Sequence, residues 1–100
     1  MAWNNLNSCF SHTEVFGTTL KVLSAQNCSE VVIYNNGSSQ LYVYDNNFSD
    51  ASNAFVIPVS GNMTFRGVTN SDQVSANFGT GSGSVSYRTQ FFSNFPMTVY

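Results

Sequence analysis

One hundred residues set the scale of a single domain and leave no room for a second core. Hydrophobic residues make up 42% of the chain but Asp, Glu, Lys and Arg only 8%, against roughly a quarter in an average soluble protein, so the surface is built from neutral polar groups. Net charge is −2, and the three cations Lys21, Arg66 and Arg88 are scattered along the chain, which argues against nucleic-acid binding because that rests on clustered Lys and Arg.

Residues 1–13 carry Trp3, Leu6 and Phe10 without strand alternation and read as an N-terminal arm. From there Val, Ile, Thr, Tyr and Phe recur in short runs broken by Asn, Gly and Ser, which predicts strands at Thr18 to Leu23, Val31 to Asn35, Gln40 to Tyr44, Ala54 to Val59, Met63 to Val68, Val74 to Phe78 and Ser84 to Phe92. The polar connection Asp45 to Asn53 has room for one helical turn at Ser49 to Ser52. The fold expected is all-β, an antiparallel β-sandwich or Greek-key, jelly-roll-like barrel of about seven short strands with extended terminal arms. Its parts are the arm 1–13, a single β-sandwich domain 14–93 and a C-terminal tail 94–100.

Turn chemistry predicts two hairpins. Asn35-Asn-Gly-Ser-Ser between Val31 to Tyr34 and Leu41 to Tyr44 is a strong turn signal. An even-length turn there puts Val32, Tyr34, Leu41 and Val43 on one face and Val31, Ile33, Tyr42 and Tyr44 on the other. Both faces are then apolar, and the one with the two tyrosines needs a second cover. In the next pair, a three-residue loop Ser60-Gly-Asn62 sets Val59 against Met63 and Ile57 against Phe65, with Asn62 near left-handed geometry. Pro58 donates no ladder hydrogen bond and marks an edge strand or bulge. Val74, Ala76 and Phe78, then Val85, Tyr87, Thr89 and Phe91, give two alternating strands joined by the flexible Gly79-Thr-Gly-Ser-Gly83.

Constellations for chemistry are sparse. His12 has Glu14 as its nearest acid in sequence, and a triad with Cys9 matches no nucleophile motif, so the expectation is no catalytic residue. Asp45, Asn47 and Ser49 occupy the first, third and fifth places of a calcium loop, but Asp50 stands where that loop needs Gly and Val56 where it needs Glu. No metal and no cofactor are expected. No apolar run approaches the roughly 20 residues of a membrane span, and Met1-Ala-Trp-Asn-Asn lacks the basic and apolar regions of a signal peptide. Cys9 and Cys28 are accordingly expected as free, partly buried thiols of a cytosolic product, a single disulfide being the alternative. The glycosylation triplets at Asn36, Asn47 and Asn62 carry no weight without export.

Three segments carry a resemblance: Val32-Ile-Tyr-Asn-Asn-Gly-Ser-Ser39, Phe55-Val-Ile-Pro-Val-Ser-Gly-Asn-Met-Thr-Phe-Arg-Gly-Val-Thr-Asn70 and Val85-Ser-Tyr-Arg-Thr-Gln-Phe-Phe-Ser93. In style they resemble small structural proteins of tailed bacteriophages, including cyanophages, over about two thirds of the chain. The resemblance implies a non-enzymatic virion protein made in the bacterial cytoplasm. Its closest likeness is a capsid cement or decoration protein that binds the major capsid protein as a small homo-oligomer, a trimer above all. A tail, neck or fibre module that binds carbohydrate is the alternative. Contact groups for such a role are Trp3, Phe10, Tyr42, Tyr44, Phe92, Phe95, Met97 and Tyr100, because interfaces favour aromatic and Met anchors with few charges at the centre.

Overall fold

A computed structural model of the chain describes residues 9–45 and 54–91. Among them the strands are β1 (Cys9–Phe16), β2 (Lys21–Val22), β3 (Glu30–Asn35), β4 (Leu41–Tyr44), β5 (Phe55–Ile57), β6 (Asn62–Arg66), β7 (Ser75–Phe78) and β8 (Gly83–Gln90), with a 3-10 turn at Ser71–Gln73. First pairs with last, second with seventh, third with sixth and fourth with fifth, every ladder antiparallel. β8 then also pairs with β3, and β7 with β4. The result is two four-stranded sheets, β1-β8-β3-β6 and β2-β7-β4-β5. A doubled ribbon rolled into two packed sheets in this way is the jelly-roll form of the β-sandwich.

Cross-strand partners share a face, so each sheet can be read in rows. In the first sheet Thr89, Val31 and Phe65 form one inward row, and Tyr87, Ile33 and Met63 the next. The second sheet answers with Leu41, Ile57 and Phe78 in one row and Val43 and Ala76 in another. All of these are buried except Met63, which packs on the core from its margin. Each large side chain so enclosed contributes about 1.5–3 kcal/mol of transfer free energy, which is what holds two sheets of such short strands together.

The rows correct both expected hairpins. β3 and β4 do not pair; the segment between them crosses from one sheet to the other, so Val31 and Ile33 meet Leu41 and Val43 face to face across the core. The face expected to join Val31 and Ile33 to Tyr42 and Tyr44 therefore does not exist: the first two point into the core from the first sheet, while Tyr42, half-buried, and Tyr44, buried, lie on the outward row of the second. β5 and β6 likewise lie in different sheets, joined by a tight turn in which the Gly61 N–H donates to the Pro58 carbonyl at 2.9 Å. Ser60, not Asn62, takes the left-handed conformation, with φ of 66°. The local chemistry of a turn is the same whether the chain stays in its sheet or leaves it, which is why the turn residues were legible and the partners were not. β5 is an outermost strand, as Pro58 requires.

The N-terminal segment needs a third correction. Its residues 9–13 belong to β1, which pairs over its full length with β8, from Cys9 opposite Gln90 to Phe16 opposite Gly83. The inward row of β1 is Phe10, His12, Glu14 and Phe16, and two polar residues in that row hide the alternation. The helical turn at Ser49 to Ser52 lies outside the described residues. The 3-10 turn that is seen is fixed by a capping box, in which the Asn70 side chain accepts from the Asp72 N–H and Gln73 reaches back to the cap.

One polar side chain organises an end of the sandwich. Asn35 is fully buried, and its amide donates to the carbonyls of Ser39 and Ile57, each at 2.9 Å. Its Oδ1 accepts from the Gly37 N–H at 2.9 Å, while its backbone N–H and carbonyl hold Gly61 and Ser60. A single amide thus ties the β3–β4 and β5–β6 connections together, with both its N–H donors and its oxygen engaged.

Candidate functional site

Two kinds of surface merit description as sites: a polar seam along the inner face of β1, and the apolar side chains left outside at the sheet edges. The seam forms because β2 has only two residues and cannot cover an eight-residue strand. His12 lies directly opposite Tyr87, their rings stacked with centroids 5.2 Å apart. The Tyr87 hydroxyl donates to Glu14 Oε2 at 2.6 Å and accepts from the Ser24 N–H at 2.8 Å. The Ser24 hydroxyl donates to the same Glu14 oxygen, and Lys21 Nζ sits 3.3 Å from the other. Lys21 also donates to the Val15 carbonyl at 3.2 Å and lies over the Phe16 ring.

Ionisable groups expected to be scattered therefore gather in space, with His12, Glu14 and Lys21 around one phenol. Their electrostatics are those of a clasp. Burial, the largest single influence on Glu14, raises its pKa, but hydrogen bonds from Ser24, Tyr87 and Lys21 together with the charge of Lys21 outweigh it and lower the carboxyl below its ordinary value. Burial first, and the neighbouring carboxylate second, push the Tyr87 phenol up, so it stays protonated as a donor. Glu14 accepts from three partners and so joins β1 to β2, to the Ser24 segment and to β8. The His12 Nε2 is buried without a hydrogen-bond partner. No group of three or more His, Cys, Asp or Glu capable of holding a metal occurs among the described residues.

A second polar group lies on the outward row of the first sheet. Glu30, opposite both Gln90 and Arg66, is buried; Gln90 donates to its Oε2 at 3.1 Å, and the Arg66 Nε is 3.8 Å from its Oε1. With Arg66 largely solvated, that ion pair adds little. Cys28 is a free, buried thiol, its pKa raised chiefly by burial.

The apolar surface is concentrated at opposite margins of the sandwich. On one side Phe55 is 44% exposed, Val56 43% and Val59 48%, within five consecutive residues that include Pro58. Phe55 leans edge-on against buried Phe65 at 5.5 Å between ring centroids, so the patch is anchored in the core. On the other side, β1, β2 and the turn between them expose Phe10, Val15, Leu20 and Val22. Single exposed apolar residues are ordinary on soluble proteins, but a run of them on an outermost strand invites pairing with another surface.

Of the contact residues expected from sequence, Phe10 stands on this second margin, Tyr42 is half-buried and Tyr44 is buried. Trp3, Phe92, Phe95, Met97 and Tyr100 lie outside the described residues. Sequence reasoning missed Phe55, Val56 and Val59. Pro58 was the available signal, because an edge strand has no neighbour along one flank to cover its side chains. Compared with protein-family models, curated proteins and solved structures, the chain finds no match.

Proposed function

We propose that this chain is a virion structural protein, a cement or decoration protein that binds a shell of major capsid protein as a small homo-oligomer and carries out no catalysis. The observation that supports this reading best is the exposed apolar group of Phe55 and Val56 on the outermost strand β5 with Val59 in the turn after it, at the margin opposite a second apolar group on β1 and β2. A surface with so few charges repels copies of itself weakly, and interfaces of ordinary size centre on aromatic and aliphatic anchors. The two apolar margins are different surfaces. A contact of one with the other is heterologous, and it closes into a ring where the rotation allows, which is the arrangement a trimer needs. The fold alone does not choose, since jelly rolls serve in capsids, lectins and cupins alike.

The test is sedimentation of the full-length chain, alone and mixed with tailed-phage shells of major capsid protein, against the double variant Phe55→Ser, Val59→Ser. The wild type should sediment as an oligomer and with the shells. The variant should do neither while remaining folded, its unfolding midpoint lowered only by the loss of the edge contact of Phe55 on Phe65. A wild type that stays monomeric at micromolar concentration and leaves the shells bare refutes the proposal.

A second reading, a tail, neck or fibre module that binds carbohydrate, is favoured by Tyr34. Its ring is exposed on the outward face of the first sheet, directly opposite Ser86 on one side and Asn62 on the other, a flat aromatic flanked by hydrogen-bonding groups. Binding to cell-envelope glycans that is lost in Tyr34→Ala would select it over the first.

A further inference from the structure

Asn36-Gly37 is the only Asn-Gly step in the chain. Such a step is chemically labile. The glycine nitrogen attacks the asparagine Cγ, the Cγ–Nδ2 bond breaks, and ammonia leaves with the displaced proton. The cyclic imide that forms is then opened by water to aspartate or to isoaspartate, which carries an extra methylene in the main chain. Glycine favours the attack because it has no Cβ to obstruct the closing ring. Asn36 is exposed, so water reaches it freely.

Three features oppose ring closure in the folded chain. The nucleophile is engaged, because the Gly37 N–H donates to the buried Oδ1 of Asn35 at 2.9 Å. The leaving group is held away, because Asn36 Nδ2 donates to Ser86 Oγ at 2.7 Å while its own backbone N–H donates to the Ser84 carbonyl at 3.1 Å. The glycine is also wedged. A Cβ on Gly37 would lie 2.6 Å from Phe78 Cζ, and one on Gly83 would lie 2.8 Å from the Gly37 Cα. That crowding explains why the labile step persists. Only glycine fits between the Phe78 ring and β8, and Asn36 supplies the tether to β8 beside it.

We propose that Asn36-Gly37 is a latent site of spontaneous deamidation, closed by the folded β3–β4 connection and opened only when that connection comes loose. Each opening exposes the step to a reaction that does not reverse. The product places a carboxylate where an amide donated to Ser86, or lengthens the main chain where Gly37 must lie against Phe78. The site therefore records local unfolding at this end of the roll.

The experiment follows the mass change of replacing NH2 by OH, together with release of isoaspartate, in the full chain and in a free peptide spanning Ile33 to Gln40, under the same buffer at neutral pH. The folded chain should react at least ~10-fold more slowly, because only the locally open fraction is competent. Ser86→Ala, which removes the hydrogen bond from Asn36 and one to Thr13 Oγ1 on β1, should speed the folded chain by about two- to tenfold, the exponential of the ordinary worth of the hydrogen bond to Asn36, and Thr13→Ala, which leaves that bond in place, should not. Asn35→Ala should speed it further if it folds; if it does not, Ser86→Ala carries the test alone. Equal rates for chain and peptide overturn the proposal. So does a slow folded chain whose rate is unmoved by Ser86→Ala, because protection would then lie elsewhere.

Discussion

Replacing Asn35 by alanine tests how the sandwich holds its two crossing connections. The side chain is wholly buried and makes three hydrogen bonds, to the Gly37 N–H and to the carbonyls of Ser39 and Ile57. Alanine leaves one donor and two acceptors facing a small void. Each unsatisfied buried group costs about 1–3 kcal/mol, donors more than carbonyls, and water entering from the Ser39 side recovers part of that, so the net loss is about 3–5 kcal/mol. For a domain of this size each kcal/mol lowers the midpoint of thermal unfolding by roughly 4–8 °C. Urea unfolding followed by tyrosine and tryptophan fluorescence would measure the loss directly, with an unchanged slope showing that the same surface is exposed. Asn35→Asp, nearly identical in size, should not rescue stability, because the missing donors belong to the amide. A loss below ~1 kcal/mol for Asn35→Ala would refute the view that this amide pins the connections.

Two further outcomes follow from the seam and from the β5–β6 turn. Because the Glu14 carboxyl is held below its ordinary value, its contribution is complete above the unfolded-state value of 4.5 and fades as pH falls through the lower folded value. Glu14→Gln should therefore cost about 1–2 kcal/mol near neutrality and progressively less in acid; an equal gap between the two proteins at pH ~3 and pH ~7 would show that the carboxylate charge is not what matters. Ser60 holds a left-handed φ of 66° that glycine adopts without strain. Ser60→Gly should raise stability by about 0.5 kcal/mol, the relief of strain exceeding the added chain entropy, and a decrease in the urea midpoint would show that the Ser60 side chain contributes more than its conformation costs.

The class of fold was legible because two strands state it openly. Val74, Ala76 and Phe78, and Val85, Tyr87 and Thr89, alternate as half-buried strands should, and all six are buried. β1 was not legible, because its inward row places His12 and Glu14 where the pattern demands apolar groups; they are tolerated since Tyr87, Ser24 and Lys21 meet them at an open margin. Topology was hidden for another reason. Asn35-Asn-Gly and Pro58-Val-Ser-Gly reverse the chain, and a reversal between layers uses the same backbone conformations as one within a sheet. The hint was present in Val31 to Tyr34, apolar on both faces, which suits a strand with neighbours on either side. The exposed residues at the margins depend on which strands end up outermost, and that is a property of the roll that no local window contains.

The pairing of first strand with last has a consequence for how the molecule comes into being. β8 fills an inner place in its sheet, flanked by β1 and β3, yet it follows every other described strand in the chain. Until it arrives, β1 has no partner in its sheet and is cut off from β3 and β6. Bringing together strands so distant in the chain must be done late, and pairing of such long range slows folding. Folding of this domain should therefore be slow and wait for β8, and the unpaired edges that await it are where incomplete copies would adhere to one another.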